Sequence, residues 1–319
     1  MRLDPSASSL PKRSEIDDTP GHPPGARWLW GQDDELGRLN LLTPERTAAA
    51  AKLIKSGQVV NLNLRADLPD PPVFGRERFK HTIKPLGGPG NDDLYELNTQ
   101  SGSQWDGFRH VATKHNDEWI FYNGITQHDI ETTSKMGMEP WAKHGIVGRG
   151  VLLDIWHFLK ESYDPFTSRP ITFKEIQDCA KAQKVDFQYG DILILRTGWV
   201  DKYLQKNQDE RNKLGEVVGL NHEFVGVEQT QEVIDFLHDN YFSVVAGDQP
   251  GFEKWPPPKD PVLHSILLPL WGLPIGEMWD LEELAQVCRQ KGQYTFFFAS
   301  TPANVAGGVG SVSNAMAVF

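Results

Sequence analysis

Gln100-Ser-Gly-Ser-Gln104-Trp-Asp106-Gly-Phe-Arg-His110 places two amides, a carboxylate and an imidazole within eleven residues, interrupted by two glycines. Run as a strand, residues 100 to 106 turn alternate side chains to one face, so Gln100, Gln104 and Asp106 share a side and Gly102 leaves a gap between them. Gly107 permits a turn that folds His110 back over the same spot. An imidazole titrating near neutral pH beside a fixed carboxylate is a proton-transfer pair. Asp106 has two further readings, as a metal ligand or as a turn cap before Gly107. The interleaved Trp105 and Phe108, with Tyr122, are expected to line an aromatic substrate pocket, and Trp255 and Trp271 are further candidates.

The segment resembles the signature of the cyclase family that includes bacterial kynurenine formamidases and isatin hydrolases, whose pattern is His-x-Gly-Thr-His-x-Asp-x-Pro-x-His. Its glycine and hydroxyl positions fall on Gly102 and Ser103, its aspartate on Asp106 and its last histidine on His110. Its first two histidines fall on Gln100 and Gln104, and its proline on Phe108. A second block, His264-Ser-Ile-Leu-Leu-Pro-Leu-Trp-Gly-Leu-Pro-Ile-Gly-Glu277, resembles the family's distal segment. Trp30 to Asn40, Phe121 to Gly124, Gly190 to Gly198 and Gly247 to Glu253 resemble a larger-chain branch. The resemblance implies a swivelling β/β/α fold, with a mixed sheet curved around a central pocket. It implies a metal set of Gln100, Gln104, Asp106, His264 and Glu277, and a proton-shuttling role for His110. It also implies homodimers.

A hydrolase of this kind uses a divalent cation to acidify water and polarise a carbonyl. Glutamine offers only a neutral oxygen, a poor donor to zinc and a better match to harder cations. Two readings of the cofactor follow: a divalent ion, zinc or manganese, or none. The leading function is hydrolysis or ring closure at an amide, lactam or ester carbonyl of a small aromatic molecule. The alternatives are a metal-free cyclase, isomerase or dehydratase, and a binding protein without turnover. Asp248 and Glu253 border a loop that could flank the pocket or simply form turns, and His115 is a further possible ligand.

The elements that must position these groups alternate between helix and strand, which argues for an α/β fold. Thr43 and Pro44 predict a helix start and Gly57 its stop. Strands are expected over Val59 to Leu64, Tyr95 to Gln104, Gly148 to Ile155, Asp191 to Arg196, Tyr241 to Ala246 and Tyr294 to Ala299. Helices are expected from the capping box at Thr172 to about Gln183, over Glu228 to His238 and over 281 to 291. Residues 65 to 92, rich in Pro and Gly, read as a long and potentially functional excursion. Gly307 to Gly310 reads as a turn into a last strand. Residues 1 to 25 read as a mobile arm and 26 to 319 as one domain.

With 39% hydrophobic residues in 319, the chain can bury a large core. Its 43 acids against 32 bases give a net charge of −11, which disfavours nucleic acid and anionic membranes as partners. A small-molecule substrate is the expected partner. Cys179 and Cys288 both fall in amphipathic helical stretches and read as buried small hydrophobes. The Met-Arg-Leu-Asp-Pro start lacks an apolar signal core, so a cytoplasmic protein is expected.

Overall fold

In the computed structural model, which describes residues 2–258 and 262–319, nine strands form one mixed sheet. Across the sheet the order is Val59–Asn61, Ala315–Val318, Thr295–Ser300, Ile146–Asp154, Ile192–Arg196, Val244–Gly247, Ile275–Glu277, Gln104–Asp106 and Gly310–Val312. The central strands from Ile146–Asp154 to Ile275–Glu277 pair in parallel, and both flanks pair antiparallel. Ile192–Arg196 and Val244–Gly247 are buried throughout. That is the pattern of parallel strands covered on both faces, and it explains their unbroken apolar runs.

Chain connectivity bends this sheet. Gly310–Val312 and Ala315–Val318 are joined by Ser313 and Asn314 alone, yet they stand near opposite ends of the strand order. So short a link can be met only if the sheet curls until its flanks approach. Trp105, Trp279 and Phe298 fill the inside of that curl. Trp105 meets Trp279 edge-on at 4.9 Å, and Trp279 stacks on Phe298 at 5.6 Å. The expected α/β architecture with a curved mixed sheet is thus observed, with aromatic side chains occupying its concave side.

Helices start where the chain supplies caps. Thr43 accepts the Arg46 N–H ahead of Pro44–Ala51, and Thr172 with Glu175 closes a reciprocal capping box on Phe173–Ala182. Gln231–Asp239 buries Val233, Ile234 and Leu237 as the periodicity requires. Both cysteines are buried and unbridged.

Two stretches differ from the sequence reading. The strand expected over Tyr95 to Gln104 is instead split. Asn91–Glu96 pairs with Lys80–Pro85 in a separate exposed hairpin, and the sheet strand covers only Gln104–Asp106. Tyr95 and Glu96, at the start of the expected strand, belong to the hairpin. The N-terminal residues expected as a mobile arm lie along the body. Leu10 packs with Leu29, Trp30, Leu41 and Tyr241, the Leu3 N–H donates to Leu29 O at 2.8 Å, and Arg13 pairs with Asp235 at 2.7 Å. No helix among the described residues is long and apolar enough to cross a membrane.

Candidate active site

Strand alternation builds the first half of the site. Trp105 is fully buried toward the curl, where its Nε1 donates to Ser300 Oγ at 2.9 Å. Gln104 and Asp106 therefore face the other way. Antiparallel register then sets Glu277 opposite Gln104 and Gly310 opposite Asp106. A Cβ on Gly310 would lie 2.1 Å from Gln100 Nε2, so only glycine leaves room for that amide. Gln100 stands outside the strand, at the end of a turn, and still reaches the same face.

These groups converge on one amide. Gln104 Nε2 lies 2.6 Å from Gln100 Oε1, 2.8 Å from Asp106 Oδ1 and 3.1 Å from Glu277 Oε2. Three oxygens surround a nitrogen that carries two hydrogens. Gln104 Oε1 and Asp106 Oδ2 are buried without a hydrogen-bond partner.

His264 completes the cluster from the first turn of the helix His264–Trp271. Its Nδ1 donates to Glu253 Oε2 at 2.6 Å, and its backbone N–H reaches Glu253 Oε1 at 3.2 Å. Glu253 thus ties down a helix end that no side chain of Leu263 caps, and fixes the ring at the same time. His264 Nε2 lies 3.0 Å from Glu277 Oε1 and 3.5 Å from Asp106 Oδ2.

Burial works against charge on every member. It lifts the Glu277 carboxyl to about 8, with the Asp106 charge adding to it and His264 opposing. Burial also works to raise Asp106 and Glu253. For Asp106 the charges of His110 and His264 outweigh it, and for Glu253 that of His264 does, so both sit below the usual carboxylate value. Burial would lower His264, yet Glu253, Asp106 and Glu277 together hold it well above its ordinary value. His110 is pushed down by burial, with Asp106 opposing and His264 assisting.

The cluster opens on a cavity of about 280 Å³ whose lining includes Phe74, Arg76, His110, Trp255, His264 and Glu277. A second cavity of the same volume runs along Asn63, Leu64, Phe79, Tyr95 and Ser101, and its lining carries no acid, histidine or arginine. Of these two cavities, only the first gathers ionisable side chains.

Asp106, His264 and Glu277 form a group fit to hold a cation, with ligand atoms all within 4.8 Å of one another. Tetrahedral zinc with ligands at about 2.1 Å needs ligand atoms roughly 3.4 Å apart. The 3.0 and 3.5 Å separations at His264 Nε2 match, and the unpartnered Asp106 Oδ2 is a free donor.

The aromatic part of the sequence reading does not hold. Trp105, Phe108 and Tyr122 are all fully buried away from this cavity. Trp105 follows strand alternation inward. Phe108 packs on Tyr122 at 4.5 Å and on Trp141 at 4.8 Å, and the Tyr122 hydroxyl donates to Asp34. Trp271 packs against His238 in the core. Trp255 does line the cavity, beside Phe74, which the sequence reading missed along with Arg76. Asp248 is satisfied by the N–H groups of Thr197 and Gly198 at the start of the helix Trp199–Gln205. His115 faces a different surface cleft with His22 and Trp28.

Residues 35–254 match the model of a family described as "Putative cyclase". A solved structure described as a novel cyclase is 32% identical, covering 91% of this chain and 98% of its own, with a TM-score of 0.80. Isatin hydrolase A from Ralstonia solanacearum is 14% identical over 87% of this chain and 98% of its own, at a TM-score of 0.59. Isatin hydrolase A from Labrenzia aggregata, bound to benzyl benzoate, is 17% identical over 88% and 98%, at 0.55. At these identities the two hydrolases share the fold. No curated protein matches the chain.

Proposed function

Because the chain belongs to the cyclase family, we propose that it is an enzyme of hydrolytic or ring-closing type acting on an amide, lactam or ester carbonyl of a small aromatic molecule. One observation carries this reading. His264 and Glu277 line a cavity with His110, and both meet Asp106, which is buried behind them with its Oδ2 lacking a hydrogen-bond partner.

Asp106, His264 and Glu277 would hold one divalent cation, zinc or manganese. When bound, such an ion lowers the pKa of water and polarises a carbonyl. Glu253 orients the His264 ring from behind. His110 moves the proton. Burial pushes its imidazole toward the neutral form, against the pull of Asp106, and the neutral form is the one that accepts a proton from an attacking water and returns it to the leaving group. Phe74 and Trp255 suit a flat apolar substrate. Gln104 holds Asp106 and Glu277 in place through its amide N–H groups, and Gln100 Oε1 accepts from the same amide.

A second reading dispenses with the ion. Gln104 Nε2 already sits among three oxygens, where an amide can hold the acids together without a cation. General acid–base chemistry by His110 would then suffice for isomerisation or dehydration.

Metal analysis separates the two. Protein purified without chelator is expected to carry about one divalent ion per chain, and to lose turnover of aryl amides, lactams or esters on chelation. His110→Ala should lower turnover by about 10²–10⁴-fold. Full activity in metal-free protein would favour the second reading, and unchanged turnover in His110→Ala would remove His110 from its role.

The partner in this proposal is the small-molecule substrate, in a cytoplasmic setting. A second copy of the chain is proposed to cover the exposed hairpin.

A further inference from the structure

The cavity contains one cation that the proposed chemistry does not use. Arg76 lines it, half-buried, and its guanidinium donates to the Gln100 carbonyl. No carboxylate among the described residues lies within ion-pair distance of it. A guanidinium offers five N–H donors in a planar fork, so most of its capacity is unspent.

Arg76 is also held with care. It follows the short turn Val73–Gly75, in which Phe74 adopts φ 61°, a left-handed conformation uncommon for a bulky residue. Tertiary contacts enforce it. The Phe74 N–H donates to His222 Nε2 at 2.9 Å, and the Phe74 ring meets Trp255 edge-on at 5.3 Å. The guanidinium carbon lies 5.1 Å from the centre of that ring. Cation, aromatic wall and acid cluster are thereby fixed around one space of about 280 Å³.

We propose that Arg76 is the anchor for a carboxylate carried by the aromatic ligand, with Phe74 and Trp255 flanking its ring. The reasoning is electrostatic and rests on the proposed function. Opening an amide, lactam or ester leaves a carboxylate, and ring closure starts from one. Glu253 and Glu277 in the cavity lining, with Asp106 buried behind them, would repel that anion. Arg76 supplies an opposite charge in the same cavity, with fork geometry matched to two oxygens. Substrates bearing a second, non-reacting acid would be held by the same group.

Benzoate and benzamide test this, since they share a ring and differ in charge. Binding is measured by calorimetry and intrinsic tryptophan fluorescence on the intact protein, with benzamide checked for conversion to benzoate after each titration. Benzoate is expected to bind more tightly than benzamide. Arg76→Gln should weaken benzoate by about 10–100-fold, the range for charge-assisted hydrogen bonds, and leave benzamide unchanged. Arg76→Lys should recover part of the loss. Equal affinities in the unaltered protein, or a benzoate preference that survives Arg76→Gln, would overturn the assignment. So would an equal loss of both ligands in a variant whose melting temperature is unchanged, because that marks a structural role. If the preference depends on Arg76 but no carbonyl substrate turns over, the anchor stands and the enzymatic reading falls. Turnover without any Arg76-dependent preference gives the reverse.

Discussion

Glu253 contributes more to the site than its place in a loop suggests. Its two oxygens bind both the ring and the backbone of His264, and it is fully buried in doing so. A carboxylate behind a ligating imidazole fixes its orientation and raises its basicity. Glu253→Gln keeps the shape and removes the charge. Affinity for a divalent ion, measured by competition with a chromophoric chelator, should fall by about 10–100-fold. Unchanged affinity would mean that His264 is positioned by its helix alone. Sequence reading reached Asp106, His264, Glu277 and both glutamines because they sit at fixed spacings in two recognisable blocks. It left Glu253 undecided, since a loop acid looks the same whether solvated or buried. Its error over Trp105 had a visible remedy. A residue between Gln104 and Asp106 on a strand must face away from both.

At the scale of elements, the buried parallel strands carry their own ionisable burden. Asp191 opens the strand Ile192–Arg196, is 1% exposed, and accepts the Gln188 N–H at 2.8 Å. Burial pushes its carboxyl up to about 7, with Arg149 at 3.3 Å, that N–H and Arg46 opposing. An unfolded aspartate titrates near 3.9. The folded state therefore holds the proton more tightly, and the stability linked to it is fully present below about pH 4 and lost as pH rises toward 7. Asp191→Asn removes the titration. Its melting temperature should gain on the unaltered protein between pH 5 and 8, by an amount equivalent to about 2–4 kcal/mol at most. Parallel melting curves across that range would show that Arg149 neutralises the charge in full. The same scale explains which elements were legible. Capped helices and unbroken apolar strands declared themselves, whereas Phe74 and Arg76 lie in a Pro- and Gly-rich stretch with no period to read. Only tertiary contacts with His222 and Trp255 place them.

The whole molecule leaves one element uncovered. All twelve residues of the hairpin formed by Lys80–Pro85 and Asn91–Glu96 are exposed, including Ile83, Leu94 and Tyr95 at 53–63%. Two strands alone are marginal in water, and exposed apolar residues on both faces, Leu94 on one and Ile83 with Tyr95 on the other, leave the hairpin in want of a cover. Its charges favour a second copy as the cover. Register places Lys80 opposite Glu96 and Lys84 opposite Asp92, on the face that also carries Thr82 and Leu94. A two-fold axis along the hairpin stacks each basic strand on the partner's acidic one, whereas an axis across it would oppose like charges. Light scattering after size exclusion should therefore report twice the chain mass. Lys80→Glu with Lys84→Glu should give monomers, because four pairs of like charges then meet across the axis. Adding Asp92→Lys and Glu96→Lys restores every opposition and should restore the dimer. A monomer at the outset, or a dimer indifferent to both changes, would assign the hairpin's apolar face to another partner. The hairpin leaves the body just after Arg76, which lines the candidate cavity, and returns just before Gln100, whose carbonyl accepts from Arg76, so dimerisation through it would also hold that contact in place.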